Sequence, residues 1–264
     1  ALSLSSLAVI AALSGAARAA EGADAGAWLA ARAASGLGDF RAGAFWYDRA
    51  LQGDPANQQL LDGAVLSSIG LGDFPAAADY ARRLGQTGAR SQTAFLALTA
   101  EQAVKGDFAQ LVADIQGGRS IGTVLDKLII AWAQLGDGKM TDALKAFDDL
   151  SKTDGLAGLG LYHKALALAS AGDFEGAENI LSGKAAGPID VTRRGIIAHV
   201  QILSQLEQGP KALEILDNTF GTDPDPELDA LRAVLKAGDP LPFDVVRNAQ
   251  DGMAEVFRSL AEVL

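Results

Sequence analysis

Few residues of this chain could support catalysis or bind a metal ion. His163 and His199 are the only histidines among 264 residues, and there is no cysteine. They lie 36 residues apart (199 − 163 = 36), a spacing that could put them on adjacent helices of a repeat protein. A metal centre needs more ligands than two imidazoles. The sequence therefore predicts no metal site, and two solvated or hydrogen-bonded histidines instead.

Candidate anion-binding and acid–base residues have simpler explanations. Gly117-Gly118-Arg119-Ser120 could form an anion-binding nest, but a turn between repeats accounts for it better. The paired acids Asp148-Asp149 and Asp223/Asp225 fit an outer helix face and a proline-rich loop, where charge is solvated. No glycine run has the spacing of a phosphate-binding loop. We expect no catalytic residue, no cofactor and no enzymatic activity.

Composition and charge narrow the fold class and the partners. Hydrophobic residues make up 49% of the chain, and much of that fraction is alanine and leucine, which favour helices. The net charge is −11, and there is no run of lysine and arginine that could neutralise phosphates. The sequence predicts an all-α protein that binds neither nucleic acid nor anionic membranes.

A repeated turn motif organises the helices. It recurs at Gly38-Asp39-Phe40, Gly72-Asp73-Phe74, Gly106-Asp107-Phe108 and Gly172-Asp173-Phe174, with a relative at Gly136-Asp137-Gly138. The first two intervals are 34 residues (72 − 38 = 34; 106 − 72 = 34). Glycine can end one helix in a left-handed conformation, and aspartate can cap the next. We expect phenylalanine to pack between the two helices.

The 34-residue period and the first unit resemble the tetratricopeptide repeat family. In that unit Phe40 and Tyr47 match family positions, as do Ala50-Leu51 and the closing Asp54-Pro55, and Gly43 stands where the family prefers alanine. Trp28 lies one position beyond the early aromatic of the family. The resemblance implies an α-solenoid of tandem helix-turn-helix repeats, a right-handed superhelix. About six repeats would span 24–225, and a further degenerate, truncated repeat would span 226–264.

Later units keep the frame with changes. The second helix of the third unit should end early at Gly117-Gly118, and the fourth unit fits only with two residues inserted in its turn. We expect the turn of the sixth unit at Gly209-Pro210. The seventh should turn at Gly238-Asp239-Pro240 and begin its second helix near Phe243.

The resemblance also implies a binding groove, since first helices line the concave face of such solenoids. The frame places these residues there: Trp28, Arg32, Gln59, Asp62, Leu66, Ile69, Thr93, Leu96, Ala100, Thr123, Asp126, Ile130, Leu159, Tyr162 and Leu166. This mostly apolar groove favours a protein or peptide segment held by apolar contact, or a basic segment attracted by the acidic surface. The alternative is that these residues form core between repeats and that partners bind elsewhere.

The apolar run Leu2–Leu13 followed by Ala17-Arg18-Ala19 has the pattern of a partial signal peptide, residues 1–19. We expect export, to a bacterial periplasm or otherwise, and a scaffold of envelope proteins. A docking helix on a cytoplasmic adaptor is one alternative. Another is that the chain is the substrate-positioning arm of a longer enzyme whose catalytic domain lies beyond Leu264.

Overall fold

The computed structural model describes residues 24–189, 191–221 and 224–261. Within these ranges the chain forms fourteen α-helices and no strand, so the expected all-α class is confirmed. The helices are α1 (Ala25–Gly36), α2 (Phe40–Gly53), α3 (Gln58–Gly70), α4 (Phe74–Gln86), α5 (Gln92–Lys105), α6 (Phe108–Gln116), α7 (Thr123–Gly136), α8 (Met140–Ser151), α9 (Ala157–Ser170), α10 (Phe174–Leu181), α11 (Arg193–Gln205), α12 (Gly209–Phe220), α13 (Pro226–Ala237) and α14 (Ala249–Ala261).

The chain divides into two compact units, Ala1–Glu101 and Gln102–Leu264, which we call unit 1 and unit 2. Consecutive helices contact each other from α1 to α4 in unit 1 and from α6 to α13 in unit 2. The odd-numbered helices, which we call first helices, also contact one another: α1 contacts α3, and α9 contacts both α7 and α11. The surface that they form is called the first-helix face.

The Gly-Asp-Phe turns have the predicted backbone. Their glycines have φ between +68° and +87°, a left-handed conformation that glycine adopts without steric cost. Asp39, Asp73 and Asp173 each accept a hydrogen bond from the backbone N–H three residues on, at 2.8 to 3.1 Å. Asp107 stands at the same position without such a bond. Local chemistry thus sets where each second helix begins.

In two turns the left-handed residue is not the one that the sequence predicts. The left-handed residue of the fourth turn is Gly138 and not Gly136, which ends α7, so this turn has the same length as the first and contains no insertion. The interval before it is 32 residues (138 − 106 = 32) and the next is 34 (172 − 138 = 34), so the two-residue difference lies between Gly106 and Gly138. In the sixth turn it is Glu207, with φ of +59°, and not the expected Gly209-Pro210, which form the first turn of α12. The reason is that proline is preorganised for the first turn of a helix.

Aromatic residues contact glycines of the following pair. An added Cβ at Gly70 or Gly136 would lie 2.3 or 2.5 Å from the ring of Phe40 or Phe108, and one at Gly63 would lie 2.2 Å from Tyr47. The triplet phenylalanines Phe40 and Phe108 therefore pack on the next first helix as well as beside their own turn. These contacts join α2 to α3 in unit 1 and α6 to α7 in unit 2.

The last part of the chain differs from the expectation of a seventh helical pair. No helix begins near Phe243, and 239–248 is irregular up to the start of α14. Pro240 and Pro242 keep Asp239 and Leu241 out of the helical region. Beyond them, Gln201 and Arg194 of α11 bond to backbone groups of Asp244 and Val245. The helix α14 then packs against α7 and α9, several pairs earlier. Residues 239–261 are called the C-terminal segment.

The predicted signal peptide, residues 1–19, lies outside the described residues. Among the residues that are described, no helix is both long and apolar enough to cross a bilayer.

Candidate functional site

The C-terminal segment lies on the first-helix face of unit 2, and its irregular part follows α11. The Leu241 N–H donates to Ser204 Oγ at 2.8 Å, and Gln205 Nε2 donates to the Leu241 carbonyl at 2.6 Å. Gln201 pairs twice with Asp244, accepting its N–H at 3.0 Å and donating to its carboxylate at 2.6 Å. Side chains of α11 therefore bond to backbone groups that a helix would pair internally and that an irregular stretch must pair elsewhere.

Arg194 joins the irregular part of the segment to α14. Its Nη2 donates to the Val245 carbonyl and its Nε to Glu255 Oε2, both at 2.9 Å. Glu255 is 1% exposed, and its carboxylate also accepts Tyr162 Oη at 2.9 Å and Arg258 Nη1 at 3.0 Å. A buried carboxylate needs such charge-assisted partners, because burial without them costs several kcal/mol, on the order of 3–5.

Gly252 provides the closest approach between α14 and the body of unit 2. A Cβ added there would lie 2.3 Å from the indole of Trp132 on α7, which is fully buried. An indole within a packed core cannot move as the end of a flexible side chain can. Glycine is therefore the residue that this contact requires.

His163 connects Trp132 to the last turn of α14. Because an indole N–H can only donate, His163 Nδ1 accepts from Trp132 Nε1 at 3.2 Å, and the imidazole proton lies on Nε2. That Nε2 donates to Ser259 Oγ, also at 3.2 Å. The ring stacks on Phe147 with centroids 6.3 Å apart. Burial lowers the pKa of His163 to about 3, so the imidazole is neutral at physiological pH.

Apolar side chains of the C-terminal segment complete the contact. Those that are buried are Leu241, Val245, Val246, Ala249, Met253 and Val256. Phe243, half-buried, lies edge-on to Phe174 of the fourth Gly-Asp-Phe triplet with centroids 6.1 Å apart. The segment therefore combines an apolar stripe with polar contacts at fixed positions, as peptides bound to helical grooves do.

His199 belongs to a second buried polar cluster, away from the segment contacts described above. Its Nε2 lies 2.5 Å from Glu178 Oε2, and Lys211 Nζ lies 2.6 Å from Oε1 of the same carboxylate. Burial lowers the pKa of His199, and the Glu178 carboxylate partly opposes this. Burial raises the pKa of Glu178, but hydrogen bonds from Lys211 and His199 outweigh it and lower the pKa overall. The cluster ties α10, α11 and α12 together.

The first-helix face of unit 1 has a different surface. Leu66 is 48% exposed, and Trp28, Ile69 and Leu96 are half-buried. The guanidinium of Arg32, itself exposed, lies 5.5 Å from the Trp28 ring centroid. Asp62 accepts a hydrogen bond from Ser91 Oγ, so its carboxylate joins α3 to the residue just before α5.

Four further predicted groove residues lie in unit 2. Tyr162 contacts the C-terminal segment through Glu255, and Leu166, one helical turn further on, is fully buried. Asp126 instead accepts from Ser120 Oγ at 2.5 Å and from the Ile121 N–H at 2.9 Å, and so holds the turn before α7. Ile130 is half-buried.

Sequence reasoning did not find the residues of the segment itself. Gly252, Glu255 and Ser259 stand at i, i+3 and i+7, which is one face of a helix. Arg194, the partner of Glu255, and Gln201, the partner of Asp244, are ordinary polar residues of a first helix. The available signal was the pair of prolines at 240 and 242 followed by an amphipathic run, which separates this run from the regular repeat.

One serine has the spacing of a nucleophile elbow. Gly118-Arg119-Ser120-Ile121-Gly122 reads Gly-x-Ser-x-Gly, but it joins helix α6 to helix α7 and does not follow a strand. Ser120 Oγ donates to Asp126, and both histidines are engaged elsewhere. The run is a turn between repeats. Throughout residues 24–189, 191–221 and 224–261, no three His, Asp or Glu side chains lie together as a metal site would require.

Comparison with known proteins gives no family assignment: no family model matches the chain, and no curated protein is similar to it in sequence.

Proposed function

We propose that this chain is a non-catalytic protein-interaction module built of tetratricopeptide-like repeats, which binds protein or peptide segments on its first-helix faces. The 34-residue period and the Gly-Asp turns support the repeat assignment. The observation that carries the binding proposal is the C-terminal segment, which lies on such a face through the hydrogen bonds of Ser204, Gln201 and Arg194. A face that accepts one segment this way has the chemistry to accept others.

The first-helix face of unit 1 is the corresponding surface for an external partner. Leu66 and Leu96 present apolar surface there, with Arg32 and Asp62 beside them. The net charge of −11 favours a partner with basic residues around an apolar stripe. We also propose export, to a periplasm in the bacterial case, on the strength of the apolar run in residues 2–13.

Site-specific photo-crosslinking tests the binding proposal. A photoreactive residue at Leu66 in the full chain should form a defined adduct with a partner protein in its native compartment. The same residue at Asp79, exposed on the second helix α4, serves as the matched control and should form none. Equal adducts at both positions, or none at Leu66, would contradict the proposal. Mass spectrometry of the mature N-terminus tests export, with cleavage near Ala19 as the expected result.

A further inference from the structure

The C-terminal segment is attached to the row of helical pairs through an exposed connector. Ala237, Gly238, Asp239 and Pro240 are all exposed, and Gly238 ends α13 in a left-handed conformation with φ of +81°. The helix α14 packs on α7 and α9 and so does not extend the row beyond α13. The segment is therefore held on unit 2 by a buried contact with first helices and by a short tether.

The contact is more selective than apolar packing requires. Trp132 accepts only a residue without a side chain at position 252. Tyr162 and Arg194 donate to a carboxylate at 255, and the neutral His163 donates to an oxygen at 259. Polar groups aimed at a ligand add discrimination, because a ligand that lacks the matching group leaves them unsatisfied. The steric limit at position 252 and the polar contacts at 255 and 259 lie on one helix face and together form a recognition pattern.

We infer that the first-helix face of unit 2 is a receptor site for an amphipathic helix with Gly, Glu and Ser at the spacing of Gly252, Glu255 and Ser259, and that a partner's helix of this chemistry replaces α14 there. The inference rests on the proposed function and names the partner class of that same face. While it is tethered, α14 competes for the site at a high effective concentration, on the order of millimolar. A partner helix therefore displaces it only when that helix matches the recognition pattern.

The charges around the site support the acidic position of the ligand. Arg194 is the cation that the body of unit 2 supplies, and it contacts both the Val245 carbonyl and Glu255. Arg258 pairs with Glu255 from within α14. A helix with lysine or arginine at the position of Glu255 would place a second cation beside Arg194 and lack the carboxylate that accepts from Tyr162.

A nicked form of the full chain tests this inference. A protease site is inserted between Gly238 and Leu241, the folded protein is cleaved there, and a fluorescent peptide of residues 239–261 is offered. We expect the cleaved fragment to stay bound and to exchange with the wild-type peptide and with its Ala254→Leu variant, since Ala254 is exposed. Peptides with Gly252→Leu or Glu255→Gln should bind at least tenfold more weakly. Anisotropy measures the exchange, and circular dichroism follows the helical content.

Three outcomes would overturn the inference. If the fragment leaves on cleavage and unit 2 unfolds, the segment belongs to the fold and is not a ligand. If the Gly252→Leu peptide exchanges as well as the wild-type peptide, the recognition pattern is wrong. If the intact chain forms a dimer that cleavage abolishes, the site receives the segment of a second copy. Adducts at Leu66 are independent of all three, so the proposed function and this inference can fail separately.

Discussion

Leu66 in unit 1 and Leu166 in unit 2 were both assigned to the same face of a first helix, yet Leu66 is 48% exposed and Leu166 is fully buried. In unit 2 the C-terminal segment lies on the first-helix face, with Glu255 bonded to Tyr162 one turn before Leu166. In unit 1 the corresponding face shows apolar side chains to solvent. The alternation of first and second helices thus specifies where such a face lies, and in unit 2 a segment from elsewhere in the chain lies on it.

Removing the carboxylate of Glu255 should have the largest effect on unit 2. Glu255→Ala removes the carboxylate that accepts from Arg194 Nε and Tyr162 Oη, and we expect the free energy of unfolding to fall by about 3 kcal/mol. Glu227→Ala is the matched control, since Glu227 pairs with the neighbouring Arg193 on an exposed surface. It should cost less than about 0.5 kcal/mol. Urea unfolding of both variants measures the difference, and equal losses would refute the burial argument.

Overpacking at Gly252 should be nearly as damaging. Gly252→Leu places a side chain against the indole of Trp132, and we expect a loss of about 2 to 3 kcal/mol as α14 separates from α7. Trp132 fluorescence should shift to longer wavelength because the indole loses its cover. Ala254→Leu, on the exposed side of the same helix, should change neither quantity. A wild-type spectrum for Gly252→Leu would show that this contact does not hold the helix.

Unit 2 should lose stability in mild acid through His163. Its pKa is lowered to about 3 from 6.5, so below about pH 6.5 the unfolded chain binds a proton that the folded chain does not. Stability is therefore lost as the pH falls from about 6.5 towards 3, by about 2 kcal/mol between pH 7 and pH 5. Urea unfolding of the wild type and of His163→Gln at pH 7 and pH 5 measures this loss. The carboxylates titrate in both proteins, so the difference between them isolates His163. Identical pH dependence would contradict the assignment.

A change on the open face of unit 1 should leave stability nearly unchanged. Leu66→Asp exposes charge where apolar surface was already in water, so the free energy of unfolding should change by less than about 0.5 kcal/mol. Partner adducts formed at a photoreactive Leu96 should nevertheless be lost. Leu37→Asp is the control, because Leu37 is also exposed but lies at the turn after α1. Loss of adducts in both variants would point to a general effect of charge.

The features that sequence predicts well here are local. Gly38 ends one helix in a left-handed conformation and Asp39 caps the next, and both contacts join residues that are close in sequence. The spacing of the triplets therefore locates the helix boundaries. Glu207 was missed because it adopts the left-handed conformation without being glycine, at a cost of about 1–2 kcal/mol that its surroundings must offset. No local signal marks it.

The occupied face could not be predicted, because its contacts join distant residues. Tyr162 and Glu255 are separated by 93 positions, and the apolar stripe of α14 would suit many surfaces. Only the combination of Gly252 with Trp132 and Glu255 with Arg194 selects this one. Such pairings follow from three-dimensional packing and have no period in the sequence.

Thiol accessibility tests the difference between the two faces most directly, since the chain has no cysteine of its own. Single-cysteine variants Leu66→Cys, Ser259→Cys and Ala254→Cys are labelled with a maleimide under native conditions. We expect Leu66→Cys and Ala254→Cys to react rapidly and Ser259→Cys to react at least about a hundredfold more slowly, because α14 must leave its site first. Equal rates at Ser259→Cys and Ala254→Cys would show that the face of unit 2 is as open as that of unit 1.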